Sequence, residues 1–254
     1  MNKIIIASLF SGVGFISLPS FATQDLSGFY LSGKVGGSAV HLANQSYSYK
    51  DLDYPQDNIK WSGGSNNDTV FGGGIAAGYN FYPQFSLPVR TELEFYARGK
   101  ASSKYNLWRE SAGAFSGRED IKNEITLNSL MLNAYYDFRN DSSFTPYVSA
   151  GLGYARIHHK TTDVYELKYY SSEETISDSR SDTDNNFAWS LGVGVKYNIY
   201  DNLSVDLAYR YFDAGKSQIT YRNEWNEEFK SRVSVRSNDI MLGAERSPHN
   251  FPKA

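Results

Sequence analysis

The sequence predicts an all-β fold, an eight-stranded antiparallel transmembrane β-barrel with four long extracellular loops. Three observations predict it. Apolar and polar residues alternate with a period of two in eight separate segments. The chain carries 20 Tyr, 15 Phe and 4 Trp against only 7 Pro, a composition suited to strands and to the aromatic girdles of membrane barrels. The connections between segments alternate between short and long, as they do in outer-membrane barrels.

Residues 1–22 read as a secretory signal peptide. Lys3 precedes an apolar run from Ile4 to Ile16, and Ser20 and Ala22 place small residues where a signal peptidase reads, so cleavage is expected after Ala22. The run is too short, and too broken by Ser and Gly, for the ~20 residues of a membrane-spanning helix. Residues 23–254 are then the outer-membrane barrel.

The first segment sets Phe29, Leu31 and Val35 against Ser32, Lys34 and Gly36. The second sets Phe71, Ile75, Tyr79 and Phe81 against Gly72, Gly74, Gly78 and Asn80. The third is the clearest: Val89, Thr91, Leu93, Phe95 and Ala97 oppose Arg90, Glu92, Glu94, Tyr96, Arg98 and Lys100. Leu130, Leu132, Ala134, Tyr136 and Phe138 then oppose Asn133 and Asp137. Val148, Ala150, Leu152 and Tyr154 oppose Ser149, Gly151 and Gly153. Phe187, Trp189, Leu191, Val193, Val195 and Tyr197 oppose Ala188, Ser190, Gly192, Gly194 and Lys196. Leu203, Val205, Leu207, Tyr209 and Tyr211 oppose Ser204, Asp206, Ala208 and Arg210. The eighth sets Ile240, Leu242 and Ala244 against Asp239, Gly243 and Glu245.

One face is apolar and aromatic; the other is Gly, Ser and charge. Lipid outside and a crowded polar interior account for both faces at once. A soluble eight-stranded barrel of the lipocalin kind is the runner-up, but it would invert them. The expected interior charges are Lys34, Arg90, Arg98, Lys196 and Arg210 with Glu92, Glu94, Asp137 and Asp206, which should pair because an unpaired buried charge is costly. Short connections fall at 83–88, 139–146 and 200–202. Long loops are expected at about 44–68, 101–123, 158–186 and 213–234.

Several classes of function are disfavoured. With no Cys there is no disulfide and no Cys-ligated metal. A net charge of −3 gives no electrostatic case for nucleic acid. No catalytic, cofactor or metal site is expected. The histidines at 41, 158, 159 and 249 fit no hydrolase motif, and His158-His159 reads as a strand leaving the membrane. Asp178, Asp182, Asp184 and Asn186 have the spacing of a calcium loop but lack its Gly and distal Glu, so a solvated acidic loop is the better reading.

Four stretches carry a family resemblance. Ser129-Leu-Met-Leu-Asn-Ala-Tyr-Tyr-Asp-Phe138, Phe144-Thr-Pro-Tyr-Val-Ser-Ala-Gly-Leu-Gly-Tyr154, Leu203-Ser-Val-Asp-Leu-Ala-Tyr-Arg-Tyr211 and Ser237-Asn-Asp-Ile-Met-Leu-Gly-Ala244 resemble, in order, the fourth, fifth, seventh and eighth strands of the neisserial opacity (Opa) family, also called opacity family porins. The resemblance implies a barrel whose variable loops bind host-cell surface molecules. It departs at the end: family members usually close on an aromatic residue, whereas Ala244 is followed by ten residues that include Pro248 and Pro252. A shifted reading frame near codon 245 would produce such a tail, and an altered end is expected to impair assembly.

The leading expectation is a surface adhesin. The alternatives are a structural barrel or narrow porin, and a barrel enzyme. The 158–186 loop is acidic and the 213–236 segment close to neutral, so protein recognition is favoured over sulfated glycans. Tyr47, Tyr49, Trp61, Trp108, Tyr169, Tyr170, Tyr221 and Trp225 are the candidate loop contacts, since rigid aromatics anchor interfaces; packing of the loops on one another is the competing role. The expected partners are outer-membrane lipid and a host-cell surface protein or glycan, with the protein acting as a monomer.

Overall fold

The computed structural model describes residues 28–247. The expected leader and the tail beyond Ser247 lie outside these residues. The chain forms eight strands: β1 Phe29–Asp51, β2 Ile59–Asn80, β3 Val89–Ala112, β4 Phe115–Asp137, β5 Phe144–Tyr169, β6 Ser172–Tyr200, β7 Leu203–Arg222 and β8 Glu227–Arg246. Each pairs antiparallel with the next, and β8 closes onto β1. Closure leaves no free strand edge in the lower, ring-forming part, whereas above it the β2–β3 and β6–β7 pairings stop at Gly72–Arg98 and Trp189–Asp213.

The alternation decides which face each side chain takes. Phe71, Leu132, Leu152, Tyr154, Leu191 and Ile240 point outward and are exposed, Phe71 at 89 %. So much exposed apolar surface requires a lipid solvent. Outward positions turn polar at His41, Asn67, Lys100, Asn128, Arg156, Asn185, Asp213 and Asn238, which marks the upper edge of the membrane. Inward positions are polar or small. Gly78 and Gly194 make room for rings: a Cβ there would lie 2.2 Å from Tyr30 Cζ and 2.4 Å from Tyr147 Cζ.

The four long connections differ from irregular loops. Of residues 44–68, 101–123, 158–186 and 213–234, only 52–58, 113–114, 170–171 and 223–226 lie outside strands. The rest continues the ladder, so four β-hairpins rise above the membrane. Two physical effects hide this in the sequence. Above the membrane the outward face meets water, so the apolar half of the pattern disappears. In addition, β-bulges between Leu42 and Gln45, Arg98 and Ala101, and Asp213 and Lys216 add a residue and reverse the parity. Asn44 and Gly215 adopt left-handed φ of 51° and 79° there. Hence Lys100, expected on the interior row, is exposed, and Ala101 is buried instead.

Nor does pairing stop at Ala244. Glu245 and Arg246 pair with both β1 and β7, and Ser247 N–H donates to Asn202 O.

Candidate functional site

Four layers fill the barrel from the membrane to the extracellular mouth. The lowest is a charge network. Lys34 bonds Glu92 and Glu94, the latter at 2.6 Å. Arg210 bonds Glu94 and, at 3.0 Å, Asp239. Arg98 reaches Asp239 at 2.7 Å. Arg90 meets Asp137 at 2.9 Å and Glu245 at 3.2 Å, and Lys196 lies 3.5 Å from Glu245. Asp206 accepts from Tyr147 Oη at 2.7 Å. The nine charges expected inside all point inward, eight of them buried and Asp206 half-buried. Two more that the expected set left out, Asp239 and Glu245, complete the network; both sit at inward parity in the eighth segment, where alternation alone could have found them. One cavity in this layer measures about 20 Å³, room for roughly one water.

Above it lies an apolar plug that includes Val40, Leu42, Ile125, Leu127, Ile157, Phe212, Val233 and Val235. Arg98 sits 4.4 Å over the Phe212 ring at the junction of the two layers.

The third layer is a polar ring within the hairpins. Gln45 donates to Ser103 and accepts from Asn123, both at 2.9 Å. Asn123 Oδ1 lies 3.1 Å from His159 and accepts from Ser231 at 3.4 Å. His159 Nδ1 lies 3.2 Å from Ser217 Oγ, which donates to Asp184 at 2.6 Å. Seven of the eight strands contribute. Ser, His and Asp thus meet, but in the wrong order for nucleophilic catalysis: Asp184 holds the serine proton, and the far nitrogen of His159 faces an amide oxygen rather than a carboxylate. Ser217 and His159 are fully buried, and burial pushes the His159 imidazole down to about 4. Asp178 to Asn186 lie on extended β6 and span roughly 26 Å of strand, so they do not converge as a calcium loop would.

The fourth layer divides the eight candidate aromatics into two groups. Tyr47, Tyr49, Trp61, Trp108 and Tyr221 pack on one another or on neighbouring rings within the hairpin crown. Tyr221 stacks on Phe229 at 4.9 Å, Trp108 stacks on Tyr165 at 6.2 Å, and Tyr47 lies 6.1 Å from Trp61. Tyr47 is only 4 % exposed, and its hydroxyl lies 3.4 Å from that of Tyr221. Tyr49 donates to Glu227 at 2.6 Å. Tyr169, Tyr170 and Trp225, by contrast, stand at the hairpin tips, exposed by 61 %, 71 % and 80 %.

Beside the crown aromatics, the carboxyl groups of Glu119 on β4 and Asp163 on β5 lie close together on the inward rows. Burial first, and the neighbouring Glu119 second, push the Asp163 carboxyl up to about 7. Asp178 of β6 adds a further negative charge, and Arg180 bonds Asp178 at 2.5 Å.

Residues 8–243 match the family model described as the outer membrane protein beta-barrel domain. The chain belongs to this family. Among members of the outer membrane β-barrel family, it is 37 % identical over 223 residues to outer membrane protein PagN of Salmonella typhimurium, covering 85 % of this chain and 88 % of PagN. It is 25 % identical to a candidate adhesin of Rickettsia conorii, RC1281, covering 96 % of this chain and 98 % of that protein. It is 24 % identical to opacity protein opA58 of Neisseria gonorrhoeae, covering 70 % of this chain and 81 % of that one. The protein is therefore an outer-membrane β-barrel, similar over most of its length to PagN, to a candidate adhesin and to an opacity protein.

Proposed function

We propose that the four hairpins hold a contact surface away from the bacterium and that their tips bind a host-cell surface protein or glycan. The observation that carries this reading is the rigid crown. The β5–β6 hairpin continues for roughly 40 Å of strand beyond Arg156, braced inside by the polar ring and the packed aromatics. A scaffold of this kind presents its tips with little ordering cost on binding. Of the eight candidate aromatics, Tyr169, Tyr170 and Trp225 act as contacts, and Tyr47, Tyr49, Trp61, Trp108 and Tyr221 position them. Tyr169 and Tyr170 meet edge to face at 4.8 Å, which preorganises the pair.

The similarity to a candidate adhesin and to an opacity protein supports the reading. The filled interior speaks against a pore, and the order of Ser217, His159 and Asp184 against hydrolysis. The closed ring supports action as a monomer. The chain would reach the membrane by export, with residues 1–22 removed.

The test displays the full chain on cells and measures attachment to host epithelial cells. Tyr169→Ala with Tyr170→Ala, and separately Trp225→Ala, should each reduce attachment on the order of 10-fold, with heat-modifiable gel migration unchanged. Undiminished attachment by both variants would remove the tips from the contact.

A further inference from the structure

Alternation separates the charges of the extracellular hairpins by face. On β5, Asp163 shares the inward parity of buried Ile157, His159 and Thr161. Arg156, His158 and Lys160 share the outward parity of Tyr154 and are exposed. On β6, Asp178, Asp182 and Asp184 fall on the inward row with Ala188. A stretch that is acidic in sum thus keeps these aspartates on the inner row and, in its lower part, turns its cations outward, while higher on the outward rows Lys168 is offset by Glu166 and Glu173.

The outward cations form a wall that is densest across β3, β4 and β5. Lys160 pairs in register with Glu124, and Thr162 with Lys122. Lys100 and Lys122 reach Glu124 at 2.8 and 3.1 Å, and these two lysines hold its carboxyl below the usual range. Both stay about half exposed, while the Glu124 side chain is only 13 % exposed. Arg156 and Lys160 make no ion pair among the described residues. Directly below Arg156 on the same face come Tyr154 and its register partners Leu130 and Phe187, the top of the lipid-facing belt. Arg156 lies two residues above Tyr154, roughly 7 Å along the strand, at the height of lipid headgroups.

We propose that this outer face of β3–β5 is a binding site for the phosphorylated headgroup of a glycolipid of the outer leaflet. Lys100, Lys122, Arg156 and Lys160 face the phosphates, and the acyl chains lie against Leu130, Tyr154 and Phe187. Arg156 and Lys160 are free to engage phosphate because no carboxylate claims them, and the continuity of cations with the apolar belt fits an amphiphile better than a soluble anion. The inference rests on the membrane position of the barrel and is independent of any host-cell contact.

The experiment refolds the full chain in a neutral detergent and titrates it, by native mass spectrometry, with bisphosphorylated lipid A, monophosphorylated lipid A and inorganic phosphate. The bisphosphorylated lipid should bind on the order of 10-fold tighter than the monophosphorylated one. The variant K122A/R156A/K160A should lose that preference, whereas K230A/R232A, on the outward row of β8 and farther from the membrane, should keep it. Heat-modifiable migration checks folding, and Arg156→Gln alone, with a smaller loss in the same direction, serves if the triple variant does not fold. Equal binding of the two lipids, a triple variant that binds as the parent does, or complete displacement by millimolar phosphate would each overturn the proposal. So would displacement of the lipid by a soluble sulfated polysaccharide that binds this wall more tightly.

Discussion

Asp239 has no exposed surface and is held by two guanidinium groups, Arg98 at 2.7 Å and Arg210 at 3.0 Å. Converting it to an amide would leave Arg98 without a carboxylate partner and Arg210 with Glu94 alone, in a buried space. Asp239→Asn should therefore cost about 3–5 kcal/mol, read as a lower urea midpoint for unfolding in liposomes; a cost below about 1 kcal/mol would show that the network tolerates the loss. Asp163 carries a different consequence. Its carboxyl is raised, so the folded state binds a proton more tightly than the unfolded chain does. The resulting stabilisation is complete below the unfolded value near 4 and is lost as pH rises through about 7. The groups around it are Glu119 on β4, Asp178 and Arg180 on β6, and the hydroxyls of Tyr47, Tyr105 and Tyr221. Protection factors for amide exchange, corrected for the intrinsic base-catalysed rate, should be higher in the upper halves of β4 and β5 at pH 5.5 than at pH 8, and Asp163→Asn should remove that difference. A difference that survives the substitution would place the titration elsewhere.

At the scale of the element, the bulges do the most to shape the crown. Each strand alternates faithfully on either side of a bulge, but the residue inserted there exchanges the faces. Below the bulge in β3, Arg90, Glu92, Glu94, Tyr96 and Arg98 point inward; above it, Ala101 and Ser103 do. Deleting Lys100 would remove the bulge and leave Ala101 and Ser103 inward, because Ala101 would then stand two positions beyond Arg98, matching Ile125 and Leu127 on β4. The Gln45–Ser103 bond of the polar ring should survive. The upper β3–β4 hairpin should stay as resistant to protease as in the parent, with unchanged heat-modifiable migration. A protease-sensitive hairpin would mean that the bend of the bulge, and not only its residue count, holds the crown together.

For the whole molecule, the successive layers along the axis seal it. Charge pairs, the apolar plug, the polar ring and packed aromatics fill the axis in turn, and the cavity in the charge layer holds roughly one water. Planar bilayers containing the folded protein should show no steady conductance above the lipid background. A reproducible unitary current would require the plug or the crown to open. A sealed barrel places its function on its outer surfaces, and the hairpin tips and the basic outer wall are the two such surfaces described.

Eight alternating segments determined the strand count, the antiparallel order, which face meets lipid and which charges lie inside, because period two in a membrane leaves one arrangement that hides every backbone polar group. Seven of the strands are bounded at the periplasmic end by connections or a terminus that the pattern shows directly. The crown was decided only in three dimensions. Its hairpins run through sequence where both faces are polar and where bulges reset the count, so local alternation carries no signal there. Whether Tyr221 braces a neighbour or Trp225 meets a partner depends on closure of the ring, which sets residues 174 positions apart, Tyr47 and Tyr221, within 3.4 Å. The summed charge of a loop likewise conceals aspartates on the inner row and cations turned outward near the membrane, because only the pairing of the strands assigns each side chain to its side.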